Sequence, residues 1–127
     1  MITHKYSHPF RKKWGQNFLA DSNLLDKITR IIDPESKDRF LEIGPGEGAL
    51  TEKIYPFIDS MVAVEIDPML VDKLKKKKIL KGLNILHGDV LLKDIERMPI
   101  KSPVRVIGNI PYNITCLLYT SPSPRDS

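Results

Sequence analysis

Asn109, Ile110, Pro111 and Tyr112 are the residues of this 127-residue chain with the clearest chemical use. Proline has no N–H and pushes its predecessor towards an extended shape, so the Ile110 carbonyl is free to point outward. Asn109 adds a side-chain carbonyl oxygen. Two such acceptors can grip the hydrogens of an exocyclic amine on a flat ring. They favour a more tetrahedral nitrogen, with its lone pair aimed at an electrophile such as a sulfonium methyl. An amide is no general base, so the chemistry is orientation and electrostatics. Tyr112 offers a face for an extruded base, a contact worth about 1–3 kcal/mol. Alone, the string would equally suit a proline turn with a core tyrosine; its place behind a strand and a nucleoside-type loop favours the chemistry.

That loop is EIGPGEGAL, with Gly44, Gly46 and Gly48 between a strand and a helix. Glycines there allow a tight turn and close approach of a ligand to the backbone. Glu65, about 20 residues on, ends the next strand, where a carboxylate can accept from both ribose hydroxyls. The pattern also fits a dinucleotide loop, which leaves NAD open at this point. Asp89, in HGDV, closes the third strand and can accept from an adenine amino group, or cap the turn after it, or both. A dehydrogenase has no evident use for the Asn109–Tyr112 string.

The elements that must hold these residues follow from apolar spacing. Asp21-Ser22-Asn23 offers caps before a helix carrying Leu24, Leu25, Ile28, Ile31 and Ile32, which should stop at Asp33 because Pro34 follows. Strands are expected at Phe40–Ile43, Met61–Glu65, Leu83–Leu86 and Val104–Ile107. Helices are expected from Ala49 to about Tyr55, from Pro68, and weakly around Leu91–Glu96. Short apolar strands alternating with helices indicate an α/β fold with a parallel sheet.

The length suits one domain, and no apolar stretch approaches the ~20 residues of a membrane span. No signal peptide is evident, so the expected location is cytoplasmic. Cys116 is the single cysteine, which excludes an intramolecular disulfide. Four of the 20 basic residues (Lys5, Arg11, Lys12 and Lys13) precede Asp21 and no acid does, so the remainder matches the 16 acids one for one. Residues 1–20 therefore read as a basic arm, suited to phosphate contacts or simply to solvation. The run Lys75–Lys78 reads as the charged C-terminal end of a helix.

KKWGQNFLAD, LEIGPGEGALT, VAVEID, HGDV and GNIPYNIT, in this order, resemble the ribosomal RNA adenine N6-dimethyltransferases, most of all the bacterial small-subunit (16S) type. The resemblance covers about residues 9–115, with Trp14 standing where a smaller apolar residue or Phe is expected. It implies a Rossmann-like methyltransferase fold using S-adenosylmethionine, here with only the first four parallel strands and their helices. It further implies dimethylation of adjacent adenosines near the 3′ end of small-subunit RNA. Asn17 and Leu19 would line the cofactor pocket. Gly44 would contact the methionine end, with Gly46 in the same loop, Glu65 the ribose and Asp89 the adenine. Asn109 would lie where cofactor and target amine meet, beside Ile110 and Pro111, with Tyr112 stacking on the base. Arg11, Lys12 and Lys13 would meet ribosomal RNA. The implied partner is the small ribosomal subunit, with no metal and no membrane, and the protein is expected to be a monomer.

Past Thr115 the family continues with a helix, further strands and a small helical domain, whereas this chain has CLLYTSPSPRDS. Those residues, 116–127, read as a frame translation of a transposase sequencing adapter and are expected to be non-native, joined to a truncated 1–115. Truncation should leave Val104–Ile107 as an unpaired edge, a liability for stability. The alternatives are a large-subunit RNA adenine methyltransferase of the antibiotic-resistance type, an NAD-binding oxidoreductase domain, and a non-catalytic RNA-binding module.

Overall fold

The structure, a computed structural model, describes residues 2–9, 21–93, 97–110 and 113–119. Helix α1 (Ser22–Ile32) begins where the Asp21 side chain accepts the Leu24 N–H at 3.1 Å. It ends at Asp33, whose φ of 50° is left-handed. Leu25, Ile28 and Ile32 recur at helical spacing and are its buried face. Strand β2 (Arg39–Ile43) follows, then helix α2 (Ala49–Ile54), which tightens into a 3₁₀ turn at Tyr55–Phe57. Strand β3 (Ser60–Glu65) leads to helix α3 (Pro68–Lys75), with Asp67 as its cap and Pro68 in its first turn. Strands β4 (Asn84–His87) and β5 (Val104–Ile110) complete the parallel set.

Within that set the order is β5-β2-β3-β4. The chain winds outward from β2 to β3 and β4, then returns to place β5 on the other side of β2. The strand order therefore reverses between β2 and β5, and ligands in such sheets bind beyond the carboxyl ends of the strands at that switch.

Alternation along the strands buries both sheet faces. Phe40, Met61 and Ile107 join α1 and α2 in one cluster. Their neighbours Leu41, Val62 and Val106 pack on the opposite face with Val64, Val104 and Met98. A third cluster, Val71, Leu74, Leu80 and Ile85, seats α3 against β4. Arg105 interrupts the apolar run of β5, yet it is only partly exposed. Its guanidinium donates to the Ile32 carbonyl at the end of α1, pairs with Asp38 at 3.0 Å and lies 4.8 Å from the Phe40 ring centre. One charged side chain thus ties β5 to the end of α1, where free carbonyls favour a cation.

Three expectations are corrected. Val104–Ile107 is not an unpaired edge: β5 runs to Ile110 and pairs antiparallel with β6 (Asn113–Tyr119), Ile110 opposite Asn113 and Val104 opposite Tyr119. β6 includes Cys116–Tyr119, the first residues of the stretch expected to be non-native. Beyond it lies β1 (Ile2–Pro9), so part of the expected arm is a strand at the end of the sheet. Finally, the weak helix around Leu91–Glu96 is a 3₁₀ turn at Val90–Leu92, with residues 94–96 outside the described set. Leu91 and Leu92 are 87% and 86% exposed, so the segment lacks the buried face that would stabilise a helix nucleus.

Candidate functional site

The site is built where four strands end together. Register sets Ile43 of β2 opposite Gly108 of β5, so Gly44 and Asn109 are the next residues past that pair. On the other side of β2, the Gly44 N–H donates to Val64 O at 2.9 Å. The Gly88 N–H reaches Glu65 O, also at 2.9 Å, and brings the end of β4 to the end of β3. Glycine loop, Glu65, Asp89 and Asn109 are thereby assembled along one edge of the sheet.

The three loop glycines do different work. All have positive φ: 66° at Gly44, 61° at Gly46 and 88° at Gly48. A Cβ on Gly44 or Gly46 would meet nothing within 4 Å, so both face open space. A Cβ on Gly48 would lie 2.7 Å from Leu74 Cδ2, which makes that glycine a packing requirement between α2 and α3. The open cradle at Gly44 and Gly46 is the feature that fits a cofactor lying against the backbone.

Glu65 is buried, and both carboxylate oxygens are engaged. Oε1 accepts the Gly46 N–H and Oε2 the Asp67 N–H, each at 3.0 Å. Each oxygen keeps a further lone pair, so ribose hydroxyls can share the carboxylate without displacing the loop. Asp89 takes the capping role allowed for it: Oδ1 accepts the Leu91 N–H at 2.9 Å. It is half-buried, and adenine contact and capping remain compatible.

Glu42 and Thr51 are site residues that the sequence reading did not single out. Glu42 is buried in β2 behind the glycine loop, and the fully buried Thr51 hydroxyl of α2 donates to its Oε1. This bond closes the loop from behind, between its incoming strand and outgoing helix. Burial pushes the Glu42 carboxyl up from an ordinary 4.5 to about 7; the Thr51 hydrogen bond opposes the rise, and the nearby Glu65 charge adds to it. A glutamate inside the apolar string FLEI was the available signal, because a carboxylate at a core position needs a partner.

Asn109 and Ile110 belong to β5 rather than to a loop, since pairing with β6 extends the strand past Ile107. Asn17, Leu19, Pro111, Tyr112, Arg11, Lys12 and Lys13 lie outside the described residues. Among the described residues no group of His, Cys, Asp and Glu is arranged to hold a metal. No helix among them is long and apolar enough to cross a membrane.

Comparison with known proteins decides among the readings of this nucleoside-type site. Residues 7–121 match the family model described as ribosomal RNA adenine dimethylase. The chain belongs to the ribosomal RNA adenine dimethylase family. A curated member, the ribosomal RNA small subunit methyltransferase A of Coxiella burnetii, is 44% identical over 108 residues, which are 84% of this chain and 42% of that protein. The chain thus spans less than half the length of this dimethylase relative.

Solved structures with the same fold include the following two. A dimethyladenosine transferase from Plasmodium falciparum is 27% identical with a TM-score of 0.59, covering 83% of this chain and 34% of its own. The 23S rRNA methyltransferase ErmE is 29% identical, also at 0.59, covering 72% and 36%. The sheet is therefore that of a Rossmann-like methyltransferase, and the oxidoreductase reading of the glycine pattern is set aside by the dimethylase match.

Proposed function

We propose that this chain is the cofactor-binding part of an enzyme that transfers methyl groups from S-adenosylmethionine to the N6 amines of adjacent adenosines in small-subunit ribosomal RNA. The observation that carries it is the junction of the Gly44–Gly46 cradle with the Asn109 position across the β2–β5 switch. The cradle would take the methionine end of the cofactor, Glu65 the ribose and Asp89 the adenine. A sulfonium donor supplies an activated methyl group to whatever nucleophile is held in line with it.

The chain's own residues would then do the rest. Asn109 and the Ile110 carbonyl would hold the two hydrogens of the target amine, aiming its lone pair at the methyl carbon. Tyr112 would stack on the extruded base, and Pro111 would fix the turn between them. The surplus proton leaves to water after transfer, since no general base is needed. Asn17 and Leu19 would line the cofactor pocket, and Arg11, Lys12 and Lys13 would hold RNA phosphates. A cytoplasmic monomer is the working form.

Small-subunit RNA is favoured over large-subunit RNA by the 44% identity to a small-subunit enzyme. The non-native origin of Cys116–Ser127 is part of the same proposal and is supported by its adapter-like sequence. Strand pairing by Cys116–Tyr119 is compatible with that origin, because a β-prone apolar string will extend an open edge whatever its source.

The test is mass spectrometry of unmethylated small subunits incubated with S-adenosylmethionine and the protein read through its uninterrupted genomic frame. N6,N6-dimethyladenosine at two adjacent positions is expected, with loss of at least about 100-fold in rate for Asn109→Ala, the scale of one electrostatic donor or acceptor in a site. Methylation confined to large-subunit RNA would overturn the substrate assignment.

A further inference from the structure

Six lysines fall within the nine residues from Lys73 to Lys81, and no Asp or Glu occurs between Asp72 and Asp89. A helix C-terminus accounts for only part of this. Helix α3 ends at Lys75, and the run continues through its cap, Lys76, into the 3₁₀ turn Lys78–Leu80. Three of the lysines have carboxylate partners. Lys77 binds Glu52 at 2.8 Å, Lys76 lies 3.5 Å from Asp72, and Lys73 lies 3.8 Å from Glu47. Among the described residues no carboxylate pairs with Lys75, Lys78 or Lys81, which are all exposed.

These three line a groove of about 280 Å³ together with Leu80, Gly82, Leu83 and Ile85. The groove is held in shape by the Tyr55 hydroxyl, which donates to the Lys81 carbonyl at 3.0 Å, and by the Lys77–Glu52 pair. It flanks β4, the terminal strand of the sheet, at the end where the strand enters rather than the end that leads to Asp89. Unpaired cations around a concave surface on a fixed frame suit a polyanion with regularly spaced charges.

We propose that this groove is a second RNA contact, binding backbone phosphates of the ribosomal RNA away from the adenosine that would be methylated. The inference rests on the proposed RNA substrate. Phosphate contacts of this kind position the nucleic acid and carry no sequence information.

The test is a salt titration of binding between the chain and a fluorescently labelled RNA hairpin with two adjacent loop adenosines. The triple variant Lys75→Gln, Lys78→Gln, Lys81→Gln is compared with a charge-matched control, Lys27→Gln, Lys37→Gln, Lys101→Gln. Unfolding midpoints of all three proteins show whether the fold is retained. The groove variant should lose roughly 2–3 from the slope of log K against log salt, as expected for three lost phosphate contacts, while the control changes by less than about 1. Equal slopes in the two variants overturn the groove assignment and leave the proposed substrate standing. Absence of RNA binding by the unsubstituted chain overturns both. Unchanged RNA binding with loss of binding to a polyglutamate peptide would mark the groove as a surface for acidic protein, contrary to the proposal.

Discussion

Glu65 holds the Gly46 N–H at 3.0 Å across a separation of 19 residues, so the acid at the end of β3 shapes the glycine loop after β2. A second N–H, from Asp67, fixes its other oxygen at the start of α3. The carboxylate is thus a strut of the loop as well as the candidate ribose ligand. The two roles share one geometry: a carboxylate already held by two backbone donors has its remaining lone pairs aimed before a ligand arrives.

Glu65→Gln should therefore damage binding more than a lost ribose contact would. The amide has one acceptor oxygen, and its NH₂ must face one of the two backbone N–H donors. A hydrogen bond to a charged group is worth about 1.5–3 kcal/mol, so binding of S-adenosylmethionine should weaken about 10- to 100-fold. Calorimetric titration measures this directly. Binding within twofold of the unsubstituted chain would show that the carboxylate is not used.

The loop glycines should separate ligand binding from stability. Gly46→Ala places a methyl group in open space and pays only the left-handed backbone strain of about 1–2 kcal/mol. It should unfold at slightly lower denaturant while losing cofactor affinity, because the methyl occupies the cradle. Gly48→Ala drives a Cβ to 2.7 Å from Leu74 Cδ2 and adds overpacking, typically about 1–3 kcal/mol, to the same strain. Urea unfolding should rank Gly48→Ala as the less stable. The reverse order would contradict the division of roles.

Glu42 should make stability fall as pH rises. Its folded pKa, about 7, lies above the ordinary 4.5, so between these values the unfolded chain gives up a proton that the folded chain keeps. Its contribution is most favourable below pH 4.5, declines through the interval and levels off above 7. The shift corresponds to roughly 3 kcal/mol at full extent. Unfolding free energies of the chain and of Glu42→Gln, measured at pH 5 and pH 8, should diverge by about that order, with the variant losing less at the higher pH. Parallel profiles would mean that Glu42 ionises freely in the folded protein.

Much of the parallel sheet was legible from apolar runs bounded by turn residues. Strands β2, β3 and β5 begin within one residue of expectation, and α1 stops at Asp33 where Pro34 demanded it. Less visible was what depends on pairing between distant segments. Nothing local in Ile2–Pro9 announces a strand, since β1 exists only against β6, which in turn forms against β5. The same pairing turned Gly108–Ile110 from an expected loop into strand. The polar residues inside apolar strings, Glu42 in FLEI and Arg105 in VRVI, were available signals of buried pairing. Their partners, Thr51 and Asp38, could not be read from spacing.

The cradle between β2, β3 and β5 is proposed to hold S-adenosylmethionine. Isothermal titration of the folded chain with S-adenosylmethionine and, separately, with NAD tests it most directly. Saturable one-to-one binding of S-adenosylmethionine, lost in Gly46→Ala and absent for NAD, is the predicted result. A chain that unfolds cooperatively yet binds NAD, or binds neither, would contradict it.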